Sequence, residues 1–291
     1  MKKLPAVWFR TSDIVDGSEK CYNIKLKKAK EFMIDIHSHI LYGIDDGSES
    51  LEESIRIIKK AIDNGYTDIV LTPHYRVIQN FTCNNRDKYK LYCQLKKEVE
   101  NRELPINLYI GNEITIDEDL FYYLNAEEAL PLNGTRYLLI ELPFFNVFKD
   151  LDEAIDRLVS KGNVPIIAHP ERYEYYSDLS ELERLLNKGV LFQGNINSLY
   201  GKYGLKAKQR LEEMLKRNMI HFMASDIHHD SQTSYDRVED AIKRVEELTR
   251  SRKIAQDLFK NNAKKLIKDE VIEPYPIFKK QYKLKLFNRS K

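Results

Sequence analysis

Histidines and carboxylates recur along this chain in a pattern that suits metal coordination. The candidates are His37-Ser38-His39, His74, Glu113, Glu141, His169 and Asp226-Ile227-His228, with Asp45 and Asp46 just ahead of Gly47. Imidazole and carboxylate donors without thiolate suit Mn²⁺, Fe²⁺ or Zn²⁺ and exclude a cysteine-held structural zinc. The set offers more donors than one ion takes. Two or three ions sharing a bridging carboxylate would use them all; a pair about 3.5–4 Å apart activates a water and stabilises in-line displacement at phosphorus. Singly, each feature has a structural reading: an HxH arises by chance, a glutamate at a strand end caps the next helix, and His169-Pro170 reads as a turn. Jointly they do not. Five of the seven histidines join three acids at the ends of apolar runs, and burying such groups without a metal or a partner is costly.

The elements that must position these residues follow from hydrophobic pattern. Seven short apolar runs read as strands: 33–39, 68–74, 107–114, 137–143, 164–170, 190–196 and 221–228. Each is nearly continuous in hydrophobicity, as in a parallel sheet covered on both faces. Between them, Ser50 and Glu53 form a capping box, Leu51, Ile55, Ile58 and Ile62 follow at helical spacing, and Gly65 stands at the C-cap. Residues 85–101 place Tyr89, Tyr92, Cys93 and Val99 on one stripe. Segments 151–161, 179–188, 205–218, 235–250 and 254–267 are also helical, two of them closing in Lys161-Gly162 and Lys188-Gly189. This alternation predicts an α/β fold, either a closed barrel or a doubly wound sheet. Candidate ligands fall at the C-terminal end of six of the seven predicted strands, the rim on which α/β barrels build active sites. Residues two apart on a strand point the same way, so His37 with His39 and Asp226 with His228 could each grip one ion. By the same rule His229 and His221 should face away.

Composition bounds the remaining possibilities. The 291 residues carry 47 Lys+Arg against 45 Asp+Glu, a formal +2, which argues against a dedicated nucleic-acid binder. Hydrophobic content of 42% with 32% charged excludes wholesale disorder. Three cysteines (Cys21, Cys83, Cys93) form no CxxC and no Cys-x5-Arg. A reducing cytoplasm is therefore expected, and a cysteine-nucleophile phosphatase is excluded by inspection. Six apolar or small residues before Arg10 are too few for a signal-peptide core, and no run approaches a membrane span. Residues 1–32 read as an N-terminal extension. The end of the chain (269–291) reads as a basic tail, its last seventeen residues holding five lysines and Arg289 with no acid. That tail is a solvated segment, or a peripheral contact to anionic lipid or an acidic protein.

The segments DIHSHILYGIDDGS (35–48), TPH (72–74), GNEI (111–114), LIELP (139–143), IIAHPERY (166–173) and ASDIH (224–228) resemble the PHP (polymerase and histidinol phosphatase) superfamily. Within it they resemble the bacterial manganese-dependent protein-tyrosine phosphatases of capsule and exopolysaccharide systems. The resemblance covers residues 33–268, with every motif in order. It implies a distorted seven-stranded (β/α) barrel, a Mn²⁺ centre of two or three ions and a phosphotyrosine substrate. Position by position, it implies that His37, His39, Glu113 and Asp226 hold one ion, and that Glu113 bridges to a second held with Glu141 and His169. Asp46, His74 and His228 would hold a third, and Arg172 would take the phosphate through its planar fork. Arg172, Asp226 and His228 are the catalytic candidates. One departure stands out. Related phosphatases often carry a second arginine shortly after the DxH motif, where Thr233 stands here, and Arg237 comes several residues later.

The resemblance also implies a bacterial tyrosine kinase as partner and substrate. Two rival functions stand beside this one. Another phosphoesterase of the superfamily, a histidinol phosphatase or an exonuclease, would betray itself by its substrate profile. A non-catalytic regulatory protein of polysaccharide assembly would show lost metal ligands, and none is missing here.

Overall fold

The computed structural model describes residues 32–278 apart from position 177. The predicted extension, except Phe32, and the tail beyond Phe278 lie outside the described residues. Nine short strands alternate with helices: β1 (Met33–Asp35), β2 (Tyr66–Leu71), β3 (His74–Tyr75), β4 (Asn107–Ile110), β5 (Glu113–Thr115), β6 (Tyr137–Glu141), β7 (Val164–Ala168), β8 (Leu191–Asn195) and β9 (Phe222–Ala224). All pair in parallel, in two sheets ordered β1-β2-β4 and β3-β5-β6-β7-β8-β9. The fold is therefore α/β with parallel sheets, as the alternation predicts.

Nine strands arise from seven apolar runs because two runs break. Run 68–74 divides at Thr72-Pro73, and run 107–114 divides at Gly111-Asn112. Pro73 has no N–H to give a ladder. Gly111 is pressed so close to Leu132 that a Cβ there would sit 2.8 Å from its side chain. The two sheets stay in touch across these breaks: Glu113 N–H is shared between Thr72 O (3.4 Å) and Pro73 O (3.3 Å), and Ser38 beyond β1 pairs in parallel with Ile227 beyond β9.

Strand residues alternate between two cores. Ile34, Val70, Leu139, Ile166, Leu191 and Phe222, from both sheets, meet in one apolar cluster; Ile69, Leu138, Ile140, Ile167, Phe192 and Met223 face the helix-covered side. Helix α1 (Leu51–Asp63) begins with Ser50 accepting from Glu53 N–H, as expected of a cap. The reciprocal bond differs, since Glu53 accepts from Glu49 N–H at 2.9 Å rather than from Ser50. Helix α2 (Asn85–Asn101) has the expected span, but its buried face is Lys88, Tyr92, Leu95 and Val99, while Tyr89 and Cys93 are exposed. Tyr92 and Val99 are thus buried as expected, whereas Tyr89 and Cys93 each lie one residue, about 100°, off that face. Residues 270–278, expected to belong to a tail, pack on the starts of the strands. Tyr137 OH donates to Glu270 O (2.6 Å), Phe278 N–H donates to Arg217 O (3.1 Å), and Ile272 is buried.

Candidate metal centre

The C-terminal ends of the strands turn polar while keeping their inward period. On β6, Tyr137 and Leu139 are followed by Glu141; on β8, Leu191 is followed by Gln193 and Asn195. Period-2 alternation sends all of these to one side. His37 and His39 lie just past β1, flanking Ser38, whose N–H donates to Thr72 Oγ1 and whose Oγ donates to Val70 O, both at 3.0 Å. That clamp turns both imidazoles inward, with their Nε2 atoms 3.2 Å apart.

Each imidazole is oriented from behind. His37 Nδ1 lies 2.8 Å from Gln193 Oε1, and Gln193 Nε2 donates to Gly194 O, fixing the amide. His39 Nδ1 lies 2.7 Å from Asp45 Oδ2, which also accepts from His74 N–H at 2.8 Å. An acceptor behind Nδ1 places the proton there and leaves the Nε2 lone pair free to ligate. The Asp45 loop in turn depends on Gly47, where a Cβ would lie 2.1 Å from His39 O.

The acids complete the cluster. Glu113 Oε2 lies 3.2 Å from His37 Nε2, 3.3 Å from His39 Nε2 and 3.1 Å from His74 Nδ1, while its Oε1 lies 2.9 Å from His169 Nε2. Asp226 Oδ1 lies 3.4 Å from His37 Nε2 and 3.6 Å from His228 Nδ1. Asp46 Oδ1 lies 3.5 Å from His74 Nε2 and 3.7 Å from His228 Nε2. Glu141 is held by Arg76 and by Thr115 Oγ1 (3.0 Å), 3.8 Å from His169 Nε2. Four groups have donor atoms within 4.8 Å of one another: His39-Asp46-His74-His228, His37-His169-Asp226, His37-His39-Glu113 and His74-Glu113-Glu141. All nine predicted ligands thus meet in one place. The groups overlap and do not by themselves divide the donors among ions: His37, His39 and Glu113 lie together, as do Asp46, His74 and His228, while His39 belongs to both groups and His169 reaches His37 and Asp226 as well as Glu113.

The donors fit divalent ions on chemical grounds. Buried His74 Nδ1, Glu113 Oε2 and His169 Nδ1 have no hydrogen-bond partner, although the first two lie only 3.1 Å apart. Lone pairs and carboxylates converging in a dry site need positive charge between them. With the chain alone, protons partly supply it. Burial pulls the His37 pKa down, yet Glu113 and Asp226 outweigh it and raise the group to about 9. Burial lowers His74 to about 3, and burial with Arg172 lowers His169 to about 4. Burial and the neighbouring Glu113 push Glu141 up to about 7.

Arg172 stands on the short turn after β7, where His169 adopts a left-handed φ of 35°. Its guanidinium is stacked between Phe144 (4.7 Å) and Tyr203 (4.1 Å) and bonds Asp226 Oδ2 at 3.2 Å. Asn195 Nδ2 donates to the same oxygen (2.8 Å). Arg172, His74, Glu113, Glu141, His169, Asp226 and His228 line one cavity of about 410 Å³, joined by Arg76, Lys202 and Tyr203. Thr233 is exposed, and Arg237 is stacked on Tyr200 at 4.7 Å, outside that cavity. His229, expected to face away, instead lines the rim of the same cavity, 3.4 Å from Glu53, whereas His221 lies at the opposite end of the strands.

Several site residues escaped the sequence reading: Gln193, Asn195, Arg76, Phe144 and Tyr203, with Asp45 noted only as a loop acid. The signal for two of them was present, because Gln193 and Asn195 are polar residues at period 2 inside an apolar run. Arg76 and Tyr203 carry no such mark; only the fold brings them in.

Comparison with known proteins agrees with this geometry. The family model "Capsular polysaccharide synthesis, CpsB/CapC" matches residues 33–268. A putative tyrosine-protein phosphatase CapC of Staphylococcus aureus is 37% identical over 198 residues, 67% of this chain and 77% of that protein. The tyrosine-protein phosphatase YwqE of Bacillus subtilis is 36% identical over 199 residues, with the same coverage. A crystal structure from work on YwqE and on CpsB of Streptococcus pneumoniae, described as unique metal-dependent tyrosine phosphatases, superposes with a TM-score of 0.77 at 32% identity. It covers 84% of this chain and 98% of the solved one. A β-aspartyl dipeptidase of Fervidobacterium islandicum AW-1 shares the fold alone, at a TM-score of 0.52 and 14% identity. With its metal-donor cluster, its strand-end architecture and a family match running from β1 to the last helix, the chain belongs to the CpsB/CapC family of capsular polysaccharide synthesis proteins.

Proposed function

We propose that this chain is a metal-dependent protein-tyrosine phosphatase. The observation that carries the reading is the meeting of nine imidazole and carboxylate donors, seven of which line one cavity of about 410 Å³ together with a stacked arginine. In this reading His37, His39, Asp46, His74, Glu113, Glu141, His169, Asp226 and His228 hold two or three Mn²⁺ ions, with Fe or Zn as alternatives. Such ions supply Lewis-acid charge to phosphoryl oxygens and lower the pKa of water.

The chain's own residues do the rest. Arg172, stacked between two rings and tied to Asp226, presents its planar fork without first having to be ordered, so it can follow charge onto the phosphoryl oxygens. Asp226 works both ways, its Oδ1 toward the donor cluster and its Oδ2 toward Arg172 and Asn195. His228 Nδ1 lies 3.1 Å from Asp226 O, which puts the proton on Nδ1 and leaves Nε2 to face Asp46. A tyrosine leaving group needs little protonation, because phenol has a pKa near 10. Phe144 and Tyr203 flank the cavity with aromatic surface for its ring.

The wider reading is that residues 33–268 form a distorted seven-unit barrel. The Ser38–Ile227 bridge at the edge of both sheets supports that closure. The physiological substrate is a bacterial tyrosine kinase of capsule or exopolysaccharide synthesis, met in the cytoplasm. No helix among the described residues is long and apolar enough to cross a membrane. The test is metal analysis of the purified protein, with turnover of a phosphotyrosyl peptide with and without Mn²⁺ and after chelation. Mn²⁺-dependent release of phosphate is expected. Turnover of histidinol phosphate or single-stranded DNA well above that of the peptide would replace this reading with another phosphoesterase activity.

A further inference from the structure

A phosphate monoester arrives with close to two negative charges, and three long cationic side chains line the candidate cavity: Arg76, Arg172 and Lys202. Arg76 is fully engaged. Its guanidinium bonds Glu141, Thr115 Oγ1 (2.9 Å) and Gln79 Oε1 (2.6 Å). Arg172 has one bond, to Asp226, and two stacked faces. Lys202 is different. Its ammonium has no carboxylate or hydrogen-bond acceptor among the described residues, and it lies 5.4 Å from the centre of the Tyr203 ring. Arg172 stands over that same ring at 4.1 Å. Two cations held against one aromatic ring repel each other, and an anion that reaches both relieves that repulsion. The loop after Asp226 brings no further cation, since Arg237 is stacked on Tyr200.

The backbone fixes where this lysine stands. It follows the turn Ile196–Tyr200, with Gly201 at φ 77° and Gly204 at φ 92°. Lys202 N–H donates to Asn197 O (3.2 Å), Gly201 N–H to Ser198 O (3.1 Å), and Tyr203 OH lies 3.4 Å from Asn195 Nδ2. A left-handed glycine on either side and a backbone bond of its own hold the backbone at Lys202, from which the exposed side chain reaches the cavity.

We propose that Lys202 is a substrate-binding residue whose ammonium takes a phosphoryl oxygen on the side of the cavity facing Tyr203, as the second cation beside Arg172. The role rests on the phosphatase reading above. It predicts a direct contribution to phosphate affinity and none to metal loading. Partial desolvation, opposed by Asp226 and reinforced by Arg172, draws the lysine's pKa below its ordinary value; a dianion beside it would reverse that pull.

The experiment uses the full, Mn²⁺-loaded protein and compares Lys202→Met, Lys202→Arg and Lys206→Met, the last an exposed lysine near Glu174. Inorganic phosphate binding is measured by calorimetry, and KM and kcat on a phosphotyrosyl peptide and on a small aryl phosphate. Lys202→Met should weaken inorganic phosphate and raise both KM values by about tenfold, the scale of one charged hydrogen bond. Metal content should be unchanged. Lys202→Arg should recover most of the loss, and Lys206→Met should match the parent protein. Unchanged phosphate affinity in Lys202→Met overturns the inference while leaving the phosphatase reading intact. A rise in KM for the peptide alone, with inorganic phosphate unaffected, also overturns it, because Lys202 would then read the peptide and not the phosphate. A parent protein that neither binds phosphate nor turns over either substrate sinks both.

Discussion

The two ends of the same strands are built on opposite principles, and two histidines show it. His169 follows β7 and His221 precedes β9; both are buried, and both are drawn down to about pH 4, by burial in each case. His169 Nε2 meets Glu113 at 2.9 Å and has a lone Nδ1 without a partner. His221 Nδ1 accepts from Phe192 N–H at 3.1 Å, and its carbonyl accepts from Asn262. One is a donor waiting for a cation; the other is a neutral bracket for the backbone. The second end carries its own cavity, about 640 Å³ and mostly apolar, roofed by residues 271–277. Burial alone therefore does not mark a functional histidine. What separates these two is the carboxylate in front of His169 and its unpaired nitrogen.

Substitutions at the polar end should have the largest effect. Glu113 touches four histidines, so Glu113→Gln should cost on the order of 10³-fold or more in kcat/KM and deplete bound metal. Metal stoichiometry and phosphate release read both. A variant with full metal and full rate would mean that the polar end is not a metal centre.

His228→Ala should likewise lose metal and most of the activity. Its neighbour His229, held by Glu53 at the rim, should change the rate by less than about threefold, the scale of an exposed pair. The reverse result would redraw the donor set by one residue. Arg172→Ala should lower kcat/KM by about 10–1000-fold with metal content unchanged, since its contacts are Asp226 and two rings. Retained activity would move the phosphate-binding role elsewhere.

At the apolar end, substitutions should move stability and leave the rate per folded molecule alone. Ile272→Ala opens a buried contact of the 270–278 segment and should cost about 2–4 kcal/mol in denaturant unfolding. If the rate falls instead, that segment reaches the active site. His221 gives a pH signature. Its folded pKa is about 4 against 6.5 unfolded, so the unfolded chain binds the proton more readily. Its contribution is complete above pH 6.5 and is lost as pH falls toward 4, by on the order of 3 kcal/mol. His221→Asn, which keeps an acceptor for Phe192 N–H, should remove that part of the acid sensitivity. Urea midpoints at pH 7 and pH 5 for parent and variant measure it. Identical pH dependence would show that His221 is not held neutral.

Some of this was written in local pattern. Each of the seven apolar runs contains strand, and helices α1 and α2 lie where the caps and spacing place them, because burying a period-2 or period-3.6 face is a local decision. Half of the stripe expected on α2, Tyr92 and Val99, is buried, but Tyr89 and Cys93 are not, because an aromatic and a cysteine look apolar whereas Lys88 is the residue inside, bonded to Asn85, Asn112 and Glu128. The reasoning that sent Asp226 and His228 to one side assumed a strand. In fact β9 ends at Ala224, and Asp226 has a left-handed φ of 48°. The two side chains converge through a turn, and Asp226 is set by its N–H bond to His37 O at 2.9 Å.

The chain's residue types and order determined by themselves that the fold is parallel α/β and that eight metal-type donors stand at strand ends, with Asp46 in the first loop, since these follow from short-range periodicity and from which side chains can ligate. Tertiary structure decided what those donors face. Asp45 came behind His39, Gln193 behind His37, Arg76 onto Glu141, and Lys202 beside Arg172, across separations of 6 to 156 residues. No local pattern encodes those pairings, because they form only when separate strand ends are brought together, and it is there that lone pairs and charges find or lack their partners.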